Sequence, residues 1–494
     1  MADRDRIIPR HPLSWRSWRL RLVLALVTLV LVVRVVWGWQ VGRMLRAQLD
    51  AARARGEPVA VEDVRFEAVP DAENAWAVQV RAMQAHVPGV FSPRSSNDEY
   101  REYPPYPAYW MKRAAASAQA HGQVFALARQ ARGLSRVQVR DRLTLPMGNS
   151  FFASLGDARN LANTLSDGAL YSHVHGDDAE AIERILDELH LARSLRHEPF
   201  AVPQLVATGM DALALNTAQI IAPGLQTRAG VATRPASREQ VRQLIAQVLD
   251  ERMLWQGLEA SIPMERLASM DFLQTRARDT WLIRPLGVME AVRANRNIEI
   301  MIEAARLRNK PAVEAALSVR KFDDQYTESM FSQQRIPRYS RWFLEPGDLS
   351  RYYETQFRVV CERRATAVSL AAQLYRADHG GWPQRLEAMV PEYLPAVPVD
   401  PYHTDRRALG YEILKGVLPG GGDRPLVYYD PGEDCAALLR NEPMYQWQQW
   451  QPREIPGKRG RSVRQYRDLR RFEPLRPSTQ AVDGNPDKPD APGK

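Results

Sequence analysis

Two regimes of hydrophobic patterning divide this chain. Leu22–Trp39, LVLALVTLVLVVRVVWGW, is apolar at almost every position, with one charge, Arg34. From residue 60 onward, apolar residues instead recur in steps of three and four, the spacing of one helical face. Asp71, after Pro70, reads as an N-cap opening a helix to about His86. A Pro-, Ser- and Tyr-rich loop follows over Pro88–Pro107, then a helix over Ala108–Ala131. Phe152–His197 forms the clearest unit. One helix ends near His173, Gly176-Asp177-Asp178 supplies a stop and an N-cap, and a second helix carries Ile182, Ile185, Leu186, Leu189 and Ala192 on one face. Further helices are predicted over Pro203–Ile221, Arg238–Trp281 and Leu286–Glu328, with breaks at Pro263, Pro285 and Pro311.

Beyond residue 349 the pattern changes. A helix over Ser350–Asp378 is stopped by His379-Gly380-Gly381, and a short helical turn follows from Trp382 to Met389. The Pro-rich run Pro391–Pro401 is incompatible with helix or central strand, so it crosses the helix extended and buries Val390, Leu394 and Val397. Tyr375 and Trp382 add large apolar area there. Two strand-like runs, Leu409–Leu414 and Pro425–Tyr429, complete a small α+β module. The expected fold class is mainly α. It comprises a basic cytoplasmic segment (1–21), an N-terminal transmembrane helix (22–42), an α-helical body with helical hairpins (60–345), the α+β module (349–440) and a basic, then Pro-rich, disordered tail (441–494).

The apolar run approaches the roughly 20 residues needed to cross a bilayer core. Arg34 lies near its far end, where a long side chain snorkels to the headgroups, and Trp37 and Trp39 stand where an interfacial belt forms. The flank Gln40-Val41-Gly42-Arg43 has no small-residue cleavage site, so the segment reads as an uncleaved anchor. Six arginines precede the run (4, 6, 10, 16, 19, 21) and four follow it (43, 46, 53, 55), which favours a cytoplasmic N-terminus. The expected location is the cell inner membrane, single-pass, with the bulk of the chain extracytoplasmic.

The net charge of +9 is concentrated rather than spread. Nine basic and three acidic residues between Arg453 and Arg476 carry +6 of it, so no nucleic-acid-binding body is implied. Within that stretch Val463, Tyr466, Leu469 and Phe472 alternate with arginines, the pattern of a basic arm or of a segment for an anionic surface. Pro474–Lys494 has the composition of a disordered segment. Only two cysteines occur, Cys361 and Cys435, which excludes a cysteine zinc site and permits one disulfide in an extracytoplasmic domain.

The chain lacks G-x-S-x-G, H-E-x-x-H and P-loop patterns. Pro419-Gly420-Gly421-Gly422-Asp423 reads as a turn, because no helix opens after it, and Glu259 and Glu265 merely flank Pro263. His173, His175, Asp187 and His190 have metal-ligating side chains, the last two at i,i+3 on a helix. Glu183, Asp187, His190, Ser194 and His197 are equally the solvated face that an amphipathic helix requires. No cofactor is implied.

Two resemblances add to this reading. The Gly176-Asp177-x-x-x-Ala181 corner resembles a tetratricopeptide-type unit, without the repetition of about 34 residues that marks an array. The C-terminal module resembles the C-terminal half of the major pseudopilin of type II secretion systems. The matching positions are Leu374, Tyr375, Gly381, Trp382, Pro383, Leu386, Val390, Pro391, Tyr393, Leu394, Pro398, Asp400 and Pro401, then Tyr411, Tyr429, Gly432 and Asp434. The whole chain is similar to bacterial membrane-anchored helical proteins that carry such a module behind the anchor. The resemblance implies an envelope protein, with calcium bound in some family members by the loop where Asp430, Glu433 and Asp434 stand. Cys435 and Ala436 replace the acidic and glycine run expected there, and no prepilin cleavage motif precedes Leu22. The expected function is protein interaction or scaffolding at the cell envelope. A metal-dependent enzyme using His173–His197 and a secretion or pilus-like component are the alternatives.

Overall fold

The computed structural model describes residues 14–87, 108–143, 153–228, 232–277, 284–318, 349–415 and 423–429. The Pro88–Pro107 loop, the Gly420–Gly422 turn, Asp430, Glu433, Asp434, Cys435 and the tail lie outside the described residues.

The chain opens with α1 (Ser14–Ala54), a single helix that contains the whole apolar run and continues beyond it. Leu22–Val33 are exposed all round, and the helix is long and apolar enough to cross a membrane. Gly56, at φ +76°, ends it in the left-handed conformation that glycine adopts without strain.

The body follows as α2 (Ala75–Gln84), α3 (Ala108–Ala120), α4 (Gly122–Arg132), α5 (Ala153–Val174), α6 (Asp178–Leu195), α7 (Ala201–Ile221), α8 (Arg238–Leu249), α9 (Arg252–Ala277) and α10 (Arg284–Ala305). A short helix covers residues 310–318. The long α11 (Leu349–His379) comes next, then a 3-10 turn at Leu386–Met389 and an antiparallel pair, β1 (Gly410–Leu414) with β2 (Arg424–Tyr428). The mainly helical class is as the sequence implies.

Local chemistry explains the element ends. Asp177 accepts from the Glu180 amide at 3.0 Å, capping α6 after Gly176 has turned the chain at φ +78°. Ser237 and Gln240 form a reciprocal capping box on α8, at 3.1 and 2.9 Å.

Four boundaries differ from expectation. The α2 cap is Asn74, not Asp71: its Oδ1 accepts from the Trp76 amide at 3.1 Å and from the Gln138 amide at 2.9 Å, a partner far along the chain. The 108–131 stretch is two helices broken at His121, whose side chain is buried. The 238–281 stretch breaks at Asp250, not at Pro263. Helix α9 runs through Pro263 because Leu258, Ile262, Met264 and Leu267 around it are buried, and packing outweighs the missing amide. The stretch 286–328 likewise divides, α10 stopping at Ala305 before the short helix.

Helix α6 is central. Ile182, Ile185, Leu186 and Leu189 enter one core with α3, α5, α7, α8, α9, α10 and α11. Leu191, Ala192 and Leu195 enter a second core with α2, α4, α5 and α7. Each fully buried Ile or Leu contributes about 1.5–3 kcal/mol. Helix α11 packs on α7 and α8, burying Tyr352, Phe357, Val360, Cys361, Val368 and Leu370. One core therefore crosses from the body into the C-terminal module. A second long apolar helix, residues 201–224, is mostly buried and serves as the core helix of this body.

Candidate functional site

The most organised polar site lies where α1 enters the body. Arg266 of α9, with a side chain 0% exposed, reaches Glu57 at 2.7 Å and Glu299 of α10 at 2.6 Å. Arg55 bridges the same two carboxylates at 2.8 and 2.5 Å. Two cations and two anions thus alternate in a closed ring. Burial pushes the Glu57 carboxyl up, but hydrogen bonds and charge from Arg55 and Arg266 outweigh it and hold it below the usual range. One turn nearer the apolar run, Asn295 donates to Gln48 at 3.1 Å. Val41 and Ala52 of α1 are buried, with Leu45, Gln48 and Leu49 half-buried between them, a stripe in steps of three and four. Helix α1 is therefore clamped to the body rather than tethered to it.

The predicted metal-ligating residues separate into structural pairs. His173 Nδ1 pairs with buried Asp178, whose Oδ2 accepts from the Gln226 amide at 2.7 Å. His175 instead donates to the Tyr171 carbonyl at 2.8 Å and lies 4.0 Å from the Tyr171 ring. Asp187 is held by Arg129 at 2.8 Å and Arg132 at 3.1 Å, both from α4. Glu180 and Glu183 join the same arginines, and Gln240 donates to Glu183 at 2.7 Å. Over Glu183–His190 the polar stripe of α6 is thus not a solvated face, because α4 covers it and supplies opposite charges, whereas His197, past the end of α6, is exposed.

Burial pushes the Asp187 carboxyl up to about 6, even against Arg132 and Arg129. Burial, reinforced by Arg193 and Arg132, pushes His190 down to about 4. Among the described residues, no group of three His, Cys, Asp or Glu side chains gathers to hold a metal. Glu259 pairs with Arg308, while Glu265 accepts from the Ala201 amide at 2.9 Å at the start of α7, so the two carboxylates do separate structural work.

Sequence reasoning missed a second buried site. Asp211 of α7 meets Arg196 at 2.7 Å and Arg363 of α11 at 3.2 Å, all three nearly inaccessible. Arg363 also donates to the carbonyls of Gln247, Val248 and Asp250 at 2.8, 2.9 and 3.0 Å, satisfying the C-terminus of α8. Gln204 donates to the carbonyls of Arg196 and Glu198 at 2.9 and 2.7 Å. A single acid inside the otherwise uncharged α7 was the available signal.

In the C-terminal module, Tyr375 stacks on His379 (4.1 Å, 12°) and meets Tyr393 edge-on at 5.7 Å. The Tyr393 hydroxyl donates to Asp378 at 2.7 Å, and Arg238 binds the same carboxylate. The helix stop is Gly380, at φ +73°, whereas a Cβ on Gly381 would meet open space. Pro383 is buried and its carbonyl accepts from Tyr411 at 2.8 Å. Leu394 is buried, and Val390 and Val397 pack against the same core. The Pro398 carbonyl accepts from Leu409 at 3.0 Å, and Asp400 accepts from the Tyr402 amide at 2.9 Å. The Pro401 carbonyl accepts from Lys310 at 2.8 Å, and Arg364 of α11 holds the Val399 carbonyl at 2.6 Å. The run expected to be extended opens instead with a turn over 391–393, where the Tyr393 and Leu394 amides donate to the Met389 carbonyl at 2.9 and 3.0 Å, and its later residues are pinned across α11. Cys361 is wholly buried in the α11 core, and burial pushes its thiol up.

Comparison with protein-family models, with curated proteins and with solved structures finds no match for the chain.

Proposed function

We propose that this chain is a single-pass protein of the cell inner membrane. Its helical body lies outside the cytoplasm and acts by binding or scaffolding other envelope proteins. One observation carries the reading. A helix exposed around its whole circumference over Leu22–Val33 continues without interruption into a stretch held by Arg55, Glu57, Arg266 and Glu299. An apolar cylinder of that kind is stable in lipid and costly in water. The clamp transmits its orientation to the body, as a scaffold at a surface requires. The excess of arginine before the run supports the cytoplasmic N-terminus. The resemblance of residues 349–440 to the pseudopilin C-terminal half supports an envelope setting.

Neither alternative gains from the geometry. Asp187 is already neutralised by two guanidiniums, so it is a poor metal ligand. A pseudopilin helix runs from the membrane straight into the module, whereas here α1 and α11 are separate helices and α11 is spent on the core of the body.

The test is a pair of fusions after Trp450, one reporter active only outside the cytoplasm and one fluorescent only inside. Activity of the first supports the orientation, and fluorescence of the second overturns it. Crosslinking in cells followed by purification is expected to recover the same envelope protein repeatedly. Recovery of the chain alone would refute the scaffolding role.

A further inference from the structure

The covering of α1 begins inside its apolar run, not after it. Arg34, Trp37 and Gly38 are half-buried and Val41 is buried, at the spacing of one helical face, whereas Trp18–Val33 are exposed. The body therefore reaches the level at which the chain leaves the membrane.

Helix α10 has the direction needed for this. The pairs Gln48–Asn295 and Arg55–Glu299, with Arg55 directly after the end of α1, advance together along the two chains, so α10 runs parallel to α1. Arg284, the first residue of α10, precedes Asn295 by about 16 Å of helix. That brings it level with Trp37 of α1. Trp18 and Trp39 are themselves about 31 Å apart along α1, which matches the hydrocarbon thickness between two aromatic belts. The start of α10 thus coincides with the outer belt.

The charge at this level is net basic. Arg43 and Arg46 are exposed on α1 just past the apolar run, with Arg43 lying 5.2 Å over the Trp39 ring, and the first two turns of α10 carry Arg284 and Glu290. The first acid of α1 beyond the run is Asp50, about a further turn away. Arginine at the headgroup level, over an indole, is the arrangement that favours phosphodiester anions.

We propose that the membrane-proximal end of the body, formed by the first turns of α10 beside Arg34–Arg46 of α1, seats in the headgroup layer and binds anionic lipid. The protein would then stand on the bilayer rather than above it. This inference rests on the anchor reading.

The experiment uses the full chain with Cys435→Ser, Cys361 being buried, reconstituted in lipid discs. A fluorophore is attached to Val30→Cys, Met289→Cys or Arg306→Cys in turn. The discs contain phosphatidylcholine with or without phosphatidylglycerol, with a nitroxide quencher on either the acyl chain or the headgroup. The Val30 label is expected to be quenched from the acyl chain. The Met289 label is expected to lose emission to the headgroup quencher, and to lose more when phosphatidylglycerol is present. The Arg306 label, just past the far end of α10 and about 25 Å from Met289, is expected to be quenched by neither. Replacing Arg43 and Arg46 by Gln removes the phosphatidylglycerol dependence at Met289.

A quenched Val30 with an unquenched Met289 overturns the seat while leaving the anchor. An unquenched Val30 overturns the anchor and the seat together. Equal quenching at Met289 with and without phosphatidylglycerol overturns the recognition of anionic headgroups.

Discussion

Arg266→Ala removes the cation on which the anchor clamp converges. Glu57 and Glu299 each keep Arg55 but lose the fully buried partner they share. Breaking a buried ion pair by deleting one member costs about 3–5 kcal/mol, because the remaining charge stays desolvated. Glu57 is 11% exposed and Glu299 is 33% exposed, so water compensates Glu299 substantially and Glu57 hardly. The cost is therefore about 3 kcal/mol, at the lower end of the range. For a body of this size that lowers Tm by roughly 5 °C. The assay is thermal unfolding of the full chain in detergent, followed by helix signal, together with tryptic cleavage at Arg53 and Arg55. Cleavage there is expected to accelerate before global unfolding, because the end of α1 is released first. Arg266→Met combined with Glu57→Gln is expected to regain about 1 kcal/mol over Arg266→Ala, since it removes the orphaned charge as well as its partner. A Tm within about 1 °C of the parent, with unchanged cleavage, would refute the claim that this ring fixes α1 to the body.

Three further outcomes are expected. Asp211→Ala leaves the buried guanidiniums of Arg196 and Arg363 facing each other, and should cost about 3–5 kcal/mol in chemical denaturation, more than Asp211→Asn. Gly176→Ala forces a Cβ to 2.7 Å from Thr233 Oγ1 at a φ of +78°, so it should destabilise by more than about 1 kcal/mol by the same measurement. The third concerns pH. His190 titrates in the fold near 4, below its ordinary 6.5, so the stability it contributes is present above 6.5 and drains as pH falls toward 4. Asp187 titrates near 6, above its ordinary 3.8, so its contribution is present below 3.8 and drains as pH rises toward 6. The two slopes oppose each other across the same window. Measured relative to the parent, His190→Leu should lose stability as pH rises from about 4 to 6, and Asp187→Asn should lose it as pH falls, by about 3 kcal/mol at most in each case.

Much of the helical layout was legible in residue order because its causes are local. The Gly176-Asp177 corner needs only a left-handed glycine and a side-chain oxygen three residues before an amide. The stop after α11 and the paired strands likewise follow from glycine placement and alternation, although the strained position fell on Gly380. Reading failed where a distant partner overrode the local signal. Asn74 displaced Asp71 as a cap because Gln138 shares its side chain, and Pro263 failed to break α9 because the core holds both sides of it. The polar stripe of α6 resembled a solvated face for the same reason. Nothing in residues 183–197 announces that Arg129 and Arg132 will cover it.

By itself, the order of residues determined that α1 is an apolar helix of membrane-crossing length, that the rest is mainly helical, and where most turns fall. These are properties of the next few residues along the chain, set by periodicity, caps and glycine conformation. Only the tertiary structure decided that α1 is clamped to the body. Glu57 and Arg266 are 209 positions apart, and Arg55 and Glu299 are 244 apart. A charged side chain on an exposed face and one in a buried ring read identically in sequence. What separates them is the desolvation that packing imposes, and that depends on which helices meet.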